Sequence, residues 1–367
     1  MESYAAALWP RRFDLDGRGA EHMGLALIVH GGAGAMAPDR FDAAREGCRA
    51  ATAVGWAVLL AGGSAVAAVE AAIVALENNP GFNAGTGAVL TTDGRAQLDA
   101  GLMDGESLAV GAVAGVERIK NPIRLARAVL ASPHVLLMGA GAEQFAREEG
   151  LPLCDPSELV TPRQYARWQA GYRAGDAVNV GPLVSFSPNQ DSSTAAARTS
   201  HRERGQARPA RATNGRHPAA PVDGEPLHAD AEKHGTVGAV AVDAHGCVAA
   251  GASTGGIAAK YPGRIGDTPL VGCGFCAENG LGGVSSTGHG EDFIRLQLAR
   301  RALDFIHGGM SAQAAATAAI RLLDERLHGD GGLILLDGAG RVGYARDTPT
   351  MAHAYMLAGM SEPFAAV

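Results

Sequence analysis

The chain has few aromatic residues, no excess of positive charge and no long apolar run. Aromatic residues make up 5% of its 367 residues, and its formal net charge is −7. Nucleic acid and anionic membrane surfaces attract clustered positive charge, which this balance does not favour. No stretch has the unbroken apolar length of a transmembrane helix. The sequence therefore argues against nucleic acid and membranes as partners.

Cysteine is scarce, and its count is odd. Five cysteines in a chain of this length indicate a reducing cytoplasm rather than a disulfide framework. The first residues lack a basic region followed by an apolar core, so they do not resemble a secretory signal. Residues 1–24 are predicted to be an N-terminal extension, either disordered or preceding a true start at Met23.

One long segment lacks apolar residues. Between residues 187 and 233 the only aliphatic side chains besides alanine are Val222 and Leu227. Such a composition cannot bury enough apolar surface to offset the entropy of ordering. It predicts a disordered linker within residues 25–367, which otherwise are expected to form a single domain. A long structureless stretch inside a domain requires a functional reason.

Glycine and small apolar residues are abundant instead, with 51 glycines and 47% hydrophobic residues. This composition is typical of a tightly packed enzyme with many turns. Apolar spacing and turn signals predict strands at 25–29, 86–92, 95–102, 134–140, 236–243, 247–254, 332–337 and 341–345. They predict helices at 40–60, 64–76, 122–131, 141–149, 291–307 and 311–327. The order indicates an α+β fold, a four-layer αββα sandwich of two antiparallel sheets flanked by helices.

The strand after the linker begins abruptly at Thr236. If it forms a hairpin with residues 247–254 around Ala244-His245-Gly246, paired residue numbers sum to about 490, and Thr236 faces Thr254. A bulge would shift this pairing by one residue. Threonine alone is most often a strand former. An accessible linker before Thr236 and a second hydroxyl opposite it raise the alternative of a nucleophile freed at a new N-terminus.

Three other motifs resemble known functional motifs, but their sequence context argues against the corresponding functions. Residues 251–255 match the GxSxG elbow of serine esterases, but no helix follows directly. The turn at residues 30–34 lacks the spacing of a phosphate-binding loop. Cys273 and Cys276 form a lone CxxC without further ligands at zinc spacing. An esterase with Ser253 as nucleophile stays open as an alternative of a different class.

Two short segments could recognise a substrate. Arg264 and Asp267 lie three residues apart in a Gly/Pro turn, as either a surface ion pair or a receptor for a free amino-acid head group. The run from Ser286 to Gly290 precedes a predicted helix. It is either a simple helix-capping turn or a site where backbone N–H groups stabilise an oxyanion.

Taken in order, HGTVGAVAVD, GASTGG, YPGRIGDTPLVG and SSTGHGE resemble the plant-type L-asparaginase/isoaspartyl peptidase family of N-terminal nucleophile hydrolases. In the first half of the chain VHGGAG, NPGFNAGTGAVLTTDG and LDAGLMDG are similar to that family as well. The resemblance extends from about Leu25 to Ala345. It departs from the family at Cys276, in the linker length and in the run RDTPTMAHAYM near the C-terminus.

The resemblance implies a self-cleaving precursor. Cleavage between Gly235 and Thr236 would give an α subunit of residues 1–235 and a β subunit of residues 236–367. Thr236 would then be the nucleophile, activated by its own amine and positioned by Thr254. Asn83 would support the cleavage site. The mature enzyme would be an (αβ)2 dimer of heterodimers.

The same resemblance implies how a substrate and an ion are held. Arg264 would bind the α-carboxylate, Asp267 with Gly290 the α-amine, and Thr287 with Gly288 the oxyanion. No organic cofactor is implied, but a structural Na+ is, held largely by backbone oxygens. The residues implied for it are Leu76, Glu77, Asn79, Phe82, Ala84 and Thr86.

The implied activity is that of an autoprocessed threonine amidohydrolase. It would cleave β-aspartyl (isoaspartyl) dipeptides and L-asparagine through a β-aspartyl ester on Thr236. A glycosylasparaginase is a close alternative, but that subgroup tends to carry Asp before the nucleophile, where this chain has Gly235. A processed but non-catalytic binding module is the remaining alternative.

Overall fold

A computed structural model describes residues 24–171 and 235–367 of the chain. The linker predicted at residues 187–233 lies outside the described residues. So does the predicted N-terminal extension, apart from Gly24. Both stay predictions. Within the described ranges, no helix is both long enough and apolar enough to cross a membrane.

The described residues form helices and strands in a mixed order. The strands are β1 (Ala26–Gly34), β2 (Leu98–Asp104), β3 (Val110–Val116), β4 (Leu136–Met138), β5 (Val237–Val242), β6 (Val248–Thr254), β7 (Phe275–Glu278), β8 (Gly282–Gly288), β9 (Gly331–Asp337), β10 (Val342–Arg346), β11 (Thr350–Leu357) and β12 (Phe364–Ala366). The helices are α1 (Phe41–Leu60), α2 (Ala65–Glu77), α3 (Pro122–Leu130), α4 (Gly139–Glu148), α5 (Pro162–Gln169), α6 (Gly290–Leu296), α7 (Leu298–His307) and α8 (Ala312–Leu327). Short 3-10 helices lie at Pro38–Arg40 and Pro156–Leu159.

The strands form two sheets. The larger has the order β12-β11-β1-β5-β6-β2-β3-β4, and the smaller has the order β10-β9-β8-β7. Named strands pair antiparallel throughout the described residues except β3 and β4, which are parallel. The prediction of two sheets with helices is confirmed, and its description of both sheets as antiparallel needs this one correction.

Strand β1 shows how the core is divided. Leu27 and Val29 belong to one buried apolar cluster, which includes residues of α1, α2 and α3. Ala26 and Ile28 belong to a second cluster, which includes residues of the smaller sheet and of α7 and α8. Successive side chains of a strand point to opposite faces. The large sheet is therefore buried on both faces, which explains why its central strands are apolar without alternation.

The hairpin of β5 and β6 has the predicted register. Val237 pairs with Ser253 and Val242 with Val248, and the register is unbroken between them. The next pair in this series is Thr236 with Thr254. Ser64 and Ser311, the first residues of the helices predicted at 64–76 and 311–327, are the N-caps of α2 and α8, because their hydroxyl oxygens accept hydrogen bonds from Ala67 N and Ala314 N.

The strand predicted at residues 86–92 is absent, so the strand predicted at 95–102, which forms as β2, has no hairpin partner there, although the chain does turn tightly at Asp93-Gly94. Gly94 N donates to Thr91 O, and Gly94 has a φ of 83°. Residues 86–92 are not a strand, because Leu90 O accepts from Ala259 N and Thr92 N donates to Lys260 O. Both edges of β2 are occupied by β3 and β6 instead.

Further elements differ from the prediction, among them β3, β7, β8 and α5, which the sequence patterns did not reveal. The helix predicted at 291–307 is divided into α6 and α7 at Gln297, which has a left-handed φ of 52°. β1 continues through the glycines after His30, with an irregular register between His30 and Ala33. The hairpin of β9 and β10 is followed by β11 and β12, and β11 pairs with β1. β11 pairs with a strand from the other end of the chain, and such pairing leaves no local signal.

The close approach of the sheets at Gly101 generates a stability prediction. A Cβ atom there would collide with the ring of Phe275 on the smaller sheet. We expect Gly101→Ala to destabilise the fold by about 1–3 kcal/mol through overpacking. Gly141→Ala is the matched control, because nothing lies within 4 Å of its added Cβ. It should be neutral or slightly stabilising in α4. Equal thermal unfolding midpoints for the two variants would contradict the packing described.

Candidate active site

Thr236 lies immediately before β5 and is buried, with 6% of its surface exposed. Its Oγ1 donates a hydrogen bond to Thr254 Oγ1 at 3.3 Å. The facing of the two hydroxyls predicted from the hairpin is thus confirmed. Thr254 Oγ1 also accepts a bond from Gly256 N at 2.9 Å, which fixes the position of its oxygen.

Asn83 connects three segments around Gly235. Its Nδ2 donates to Gly256 O at 2.7 Å, and its Oδ1 accepts from Val89 N at 2.8 Å. Its carbonyl oxygen accepts from Gly255 N. A Cβ on Gly235 would lie 2.6 Å from Asn83 Cβ, so the backbone of Gly235 runs against this side chain. Asn83 therefore lies at the predicted cleavage site.

Arg264 forms a bidentate ion pair that the sequence did not reveal. Its Nε donates to Glu291 Oε1 at 2.8 Å and its Nη2 to Glu291 Oε2 at 2.5 Å. The Arg264 side chain is only 14% exposed. Two of the five guanidinium N–H groups are used in this pair, so three remain for other acceptors. Because the guanidinium group is planar, this pair also fixes the directions of its three remaining N–H groups.

Asp267 is the buried acid of the site. Burial raises the pKa of Asp267 to about 7, and the positive charge of Arg264 opposes this shift. Ser286 Oγ donates a long bond of 3.5 Å to Asp267 Oδ2. A Cβ on Gly290 would lie 2.9 Å from Asp267 Oδ1, so the backbone of Gly290 packs against this carboxyl group without room for a side chain.

Thr287 and Gly288 end strand β8 on the smaller sheet. Thr287 is buried, and its Oγ1 accepts a bond from Ala33 N of β1 at 3.3 Å. Gly288 packs against Asp330 O and Phe293 without room for a side chain. The contacts described for these two residues join β8 to β1 and β9. Their oxyanion role stays a prediction.

Two residues near Thr236 were missed by sequence reasoning. Thr268, directly after Asp267, places its Oγ1 3.5 Å from Thr236 Oγ1. His30 is fully buried, with Nε2 3.0 Å from Ser285 Oγ and with the backbone of Thr236 nearby. Burial lowers the pKa of His30 to about 3, so the ring is neutral. Adjacency to Asp267 was the one available signal for Thr268.

The alternative nucleophile Ser253 lies within β6, one residue before its end, and no helix follows directly as it would at a strand-to-helix elbow. It is completely buried, beside the carboxyl group of Glu77. Burial raises the pKa of Glu77 to about 8. A nucleophile elbow exposes its serine at a sharp turn before a helix. The geometry therefore disfavours an esterase.

Cys273 and Cys276 are free and buried, with Cys276 in β7.

The loop after α2 was the predicted cation site, at Leu76, Glu77, Asn79, Phe82, Ala84 and Thr86. Thr86 Oγ1 is buried there without a hydrogen-bond partner in the described part of the chain. Glu77 O accepts from Thr86 N, which closes the loop, and Gly85 has a φ of 53°. Carbonyl and hydroxyl oxygens without soft ligands suit a hard cation. Among residues 24–171 and 235–367, no cluster of three His, Cys, Asp or Glu could hold a metal.

Comparison with known proteins shows which family this chain is similar to. Residues 23–364 match the family described as "Asparaginase". The chain is 41% identical over 349 residues to "Plant-type L-asparaginase" of Pyrococcus abyssi, which covers 94% of this chain and all of the relative. It is 38% identical over 325 residues to "Isoaspartyl peptidase/L-asparaginase" of Rattus norvegicus, which covers 88% of this chain and 83% of the relative.

The pKa of Asp267 provides a direct test of the site's electrostatics. We expect its carboxyl group to titrate near pH 7 in a carbon-13 NMR titration, because burial disfavours the charged form. Arg264→Met should raise this pKa further, since a stabilising positive charge is lost. Arg321→Met, an exposed arginine on α8, is the control and should leave it unchanged. An Asp267 pKa near 4, or no response to Arg264→Met, would contradict the arrangement.

Proposed function

Because the chain belongs to the asparaginase family, we propose that it is an autoprocessed threonine amidohydrolase. Its substrates are β-aspartyl dipeptides and L-asparagine. The observation that carries the proposal is the buried contact of Thr236 Oγ1 with Thr254 Oγ1, directly after Gly235 and beside Asn83. A hydroxyl held in this way suits attack on the preceding carbonyl and then on a substrate.

Processing begins at the bond between Gly235 and Thr236. Thr236 Oγ1 attacks the carbonyl carbon of Gly235, and the peptide nitrogen leaves as the new α-amine. This converts the amide into an ester on Thr236. Water then hydrolyses the ester, which gives a carboxylate on Gly235 and restores the hydroxyl. Asn83 holds the cleavage site through its contact with Gly235.

Turnover uses the same oxygen. The new α-amine has a pKa of roughly 7.7–8.0 in a free chain, so it can take the proton of Thr236 Oγ1 near neutral pH. The oxygen attacks the side-chain carbonyl carbon of the substrate. Thr287 and Gly288 are the proposed oxyanion stabilisers. Ammonia or an amino acid leaves with that proton, and water hydrolyses the β-aspartyl ester on Thr236.

The charges of the site match the free head group of such substrates. Arg264 retains three N–H groups beyond its bond with Glu291, and these can bind an α-carboxylate. The carboxyl group of Asp267, with the backbone of Gly290 packed against it, is the proposed ligand of the α-ammonium group. A bound ammonium would lower the pKa of Asp267 and favour its carboxylate form. Binding of the ammonium group therefore favours the carboxylate form of Asp267, which is the form that binds it.

Several finer features belong to this proposal. The two sheets and their helices are proposed to stack as a four-layer αββα sandwich, the fold expected of N-terminal nucleophile hydrolases. Residues 25–367 are proposed to form one domain, assembled as (αβ)2. The five free cysteines support a cytoplasmic location. A glycosylasparaginase and a non-catalytic binding module are the alternatives, and the experiments described below distinguish them from this proposal.

The processing proposal predicts a defined fragment. Intact mass measurement of the purified protein should find a β subunit of 132 residues, Thr236 to Val367. Thr236→Ala should leave the chain intact and lower activity on L-asparagine by at least ~1,000-fold, because the nucleophile is lost. Ser253→Ala is the matched control and should be processed and active.

An intact wild-type chain, or activity lost in Ser253→Ala but kept in Thr236→Ala, would contradict this mechanism. A processed wild-type chain without activity on L-asparagine or β-aspartyl dipeptides would favour the binding module. Cleavage of glycosylated asparagine in preference to both would favour a glycosylasparaginase.

The loop from Leu76 to Thr86 is proposed to hold Na+. Binding to the folded state alone raises stability by about 2.7 kcal/mol at a hundredfold excess over Kd. We expect a higher thermal unfolding midpoint in NaCl than in choline chloride of equal ionic strength. Gly85→Ala should abolish this difference, because its Cβ would lie 2.6 Å from Glu77 O.

Gly62→Ala is the control for the cation test. It has the same kind of positive φ, at 80°, but nothing within 4 Å of the added Cβ. It should keep the response to Na+. Equal unfolding midpoints of the wild-type protein in the two salts would contradict a sodium site.

A further inference from the structure

The hydroxyl of Thr268 has one hydrogen-bond partner among the described residues, and that partner is the oxygen of Thr236. The two Oγ1 atoms lie 3.5 Å apart. Thr268 is only 1% exposed, so water does not compete for its hydroxyl. A buried hydroxyl whose single partner is a reacting oxygen is placed where it can affect the reaction.

The direction of this hydrogen bond follows from counting protons. Thr236 has one hydroxyl hydrogen, and it is donated to Thr254 Oγ1. Thr254 Oγ1 additionally accepts from Gly256 N. Thr268 must therefore be the donor in its contact with Thr236. The nucleophilic oxygen gives one hydrogen bond to Thr254 and receives one from Thr268.

The position of Thr268 is fixed by the turn that it belongs to. Leu270 N donates to Asp267 O, which closes the turn. Gly274 packs on it so closely that an added Cβ would lie 2.8 Å from Thr268 Cα. Thr268 is thus held between Asp267, the proposed ammonium ligand, and the nucleophile.

We propose that Thr268 is a further catalytic residue, whose hydroxyl donates to Thr236 Oγ1 and stabilises the negative charge that develops there. This assignment rests on the proposed function. When the α-amine takes the proton of Thr236, the donor from Thr268 stabilises the oxygen as it attacks. When water attacks the ester, the amine takes a proton from the water and passes it to the departing Oγ1 of Thr236, which the same donor stabilises. Thr268 keeps its own proton throughout.

The size of the effect follows from comparable donors. Removing one hydrogen-bond donor to a developing oxyanion lowers kcat by about 10²–10³. The contact of 3.5 Å is long, although such bonds tighten when substrate is bound. We therefore expect a loss of roughly 10- to 100-fold in kcat when the hydroxyl is removed.

Two variants separate the hydroxyl from the shape of the side chain. Thr268→Val removes the hydroxyl and keeps the branching, whereas Thr268→Ser keeps the hydroxyl and removes the methyl group. The measurements are kcat and KM on L-asparagine, the fraction of chain processed, and the thermal unfolding midpoint. We expect Thr268→Val to lower kcat with KM nearly unchanged, and Thr268→Ser to retain kcat within a few-fold. A merely structural role would affect both variants and their unfolding midpoints.

Processing provides a second readout of the role of Thr268, because the Thr236 oxygen that attacks the substrate also attacks the carbonyl carbon of Gly235. If Thr268→Val accumulates as an intact, folded chain while Thr268→Ser is cleaved, the assignment is supported. Unchanged kcat in a processed Thr268→Val, or equal losses in the two variants, would overturn it and leave the proposed function standing. An uncleaved and inactive wild-type chain would overturn the proposed function and this assignment together.

Discussion

The pairing of β5 with β6 is the constraint on which the site depends. Because every pair from Val237–Ser253 to Val242–Val248 stays in register, the position before β5 faces the last residue of β6. A slip by one residue would turn the side chains of β5 to the opposite faces of the sheet. Such a slip is costly, because β5 and β6 are buried on both faces. The core thereby sets the distance between Thr236 and Thr254.

Burial has a second consequence, for the charges around this pair. Asp267 and His30 are both removed from water, and in both cases burial favours the neutral form. Arg264 is paired with Glu291. A free amino-acid head group would supply the cation that Asp267 lacks and an anion for the remaining N–H groups of Arg264. The geometry therefore favours a zwitterionic ligand over a neutral one.

The sequence predicted the parts of the site that depend on local pattern. The hairpin register followed from the turn at Ala244-His245-Gly246 and the two apolar runs around it. Contacts closed by distant segments were not predictable in this way. The Arg264–Glu291 pair joins a Gly/Pro turn to α6, and β11 pairs with β1 from the other end of the chain. Residues 86–92 had a strand-like composition, but Leu90 and Thr92 form backbone hydrogen bonds with the loop after β6.

In the proposed mechanism Thr236 carries the substrate as an ester. The most direct measurement is rapid acid quenching of the enzyme during turnover of L-asparagine, followed by mass analysis of its peptides. We expect one aspartyl group to be attached to the N-terminal peptide of the β subunit, on the oxygen of Thr236. Attachment to Ser253, or turnover without any covalent adduct on Thr236 under conditions where hydrolysis is slow, would contradict it.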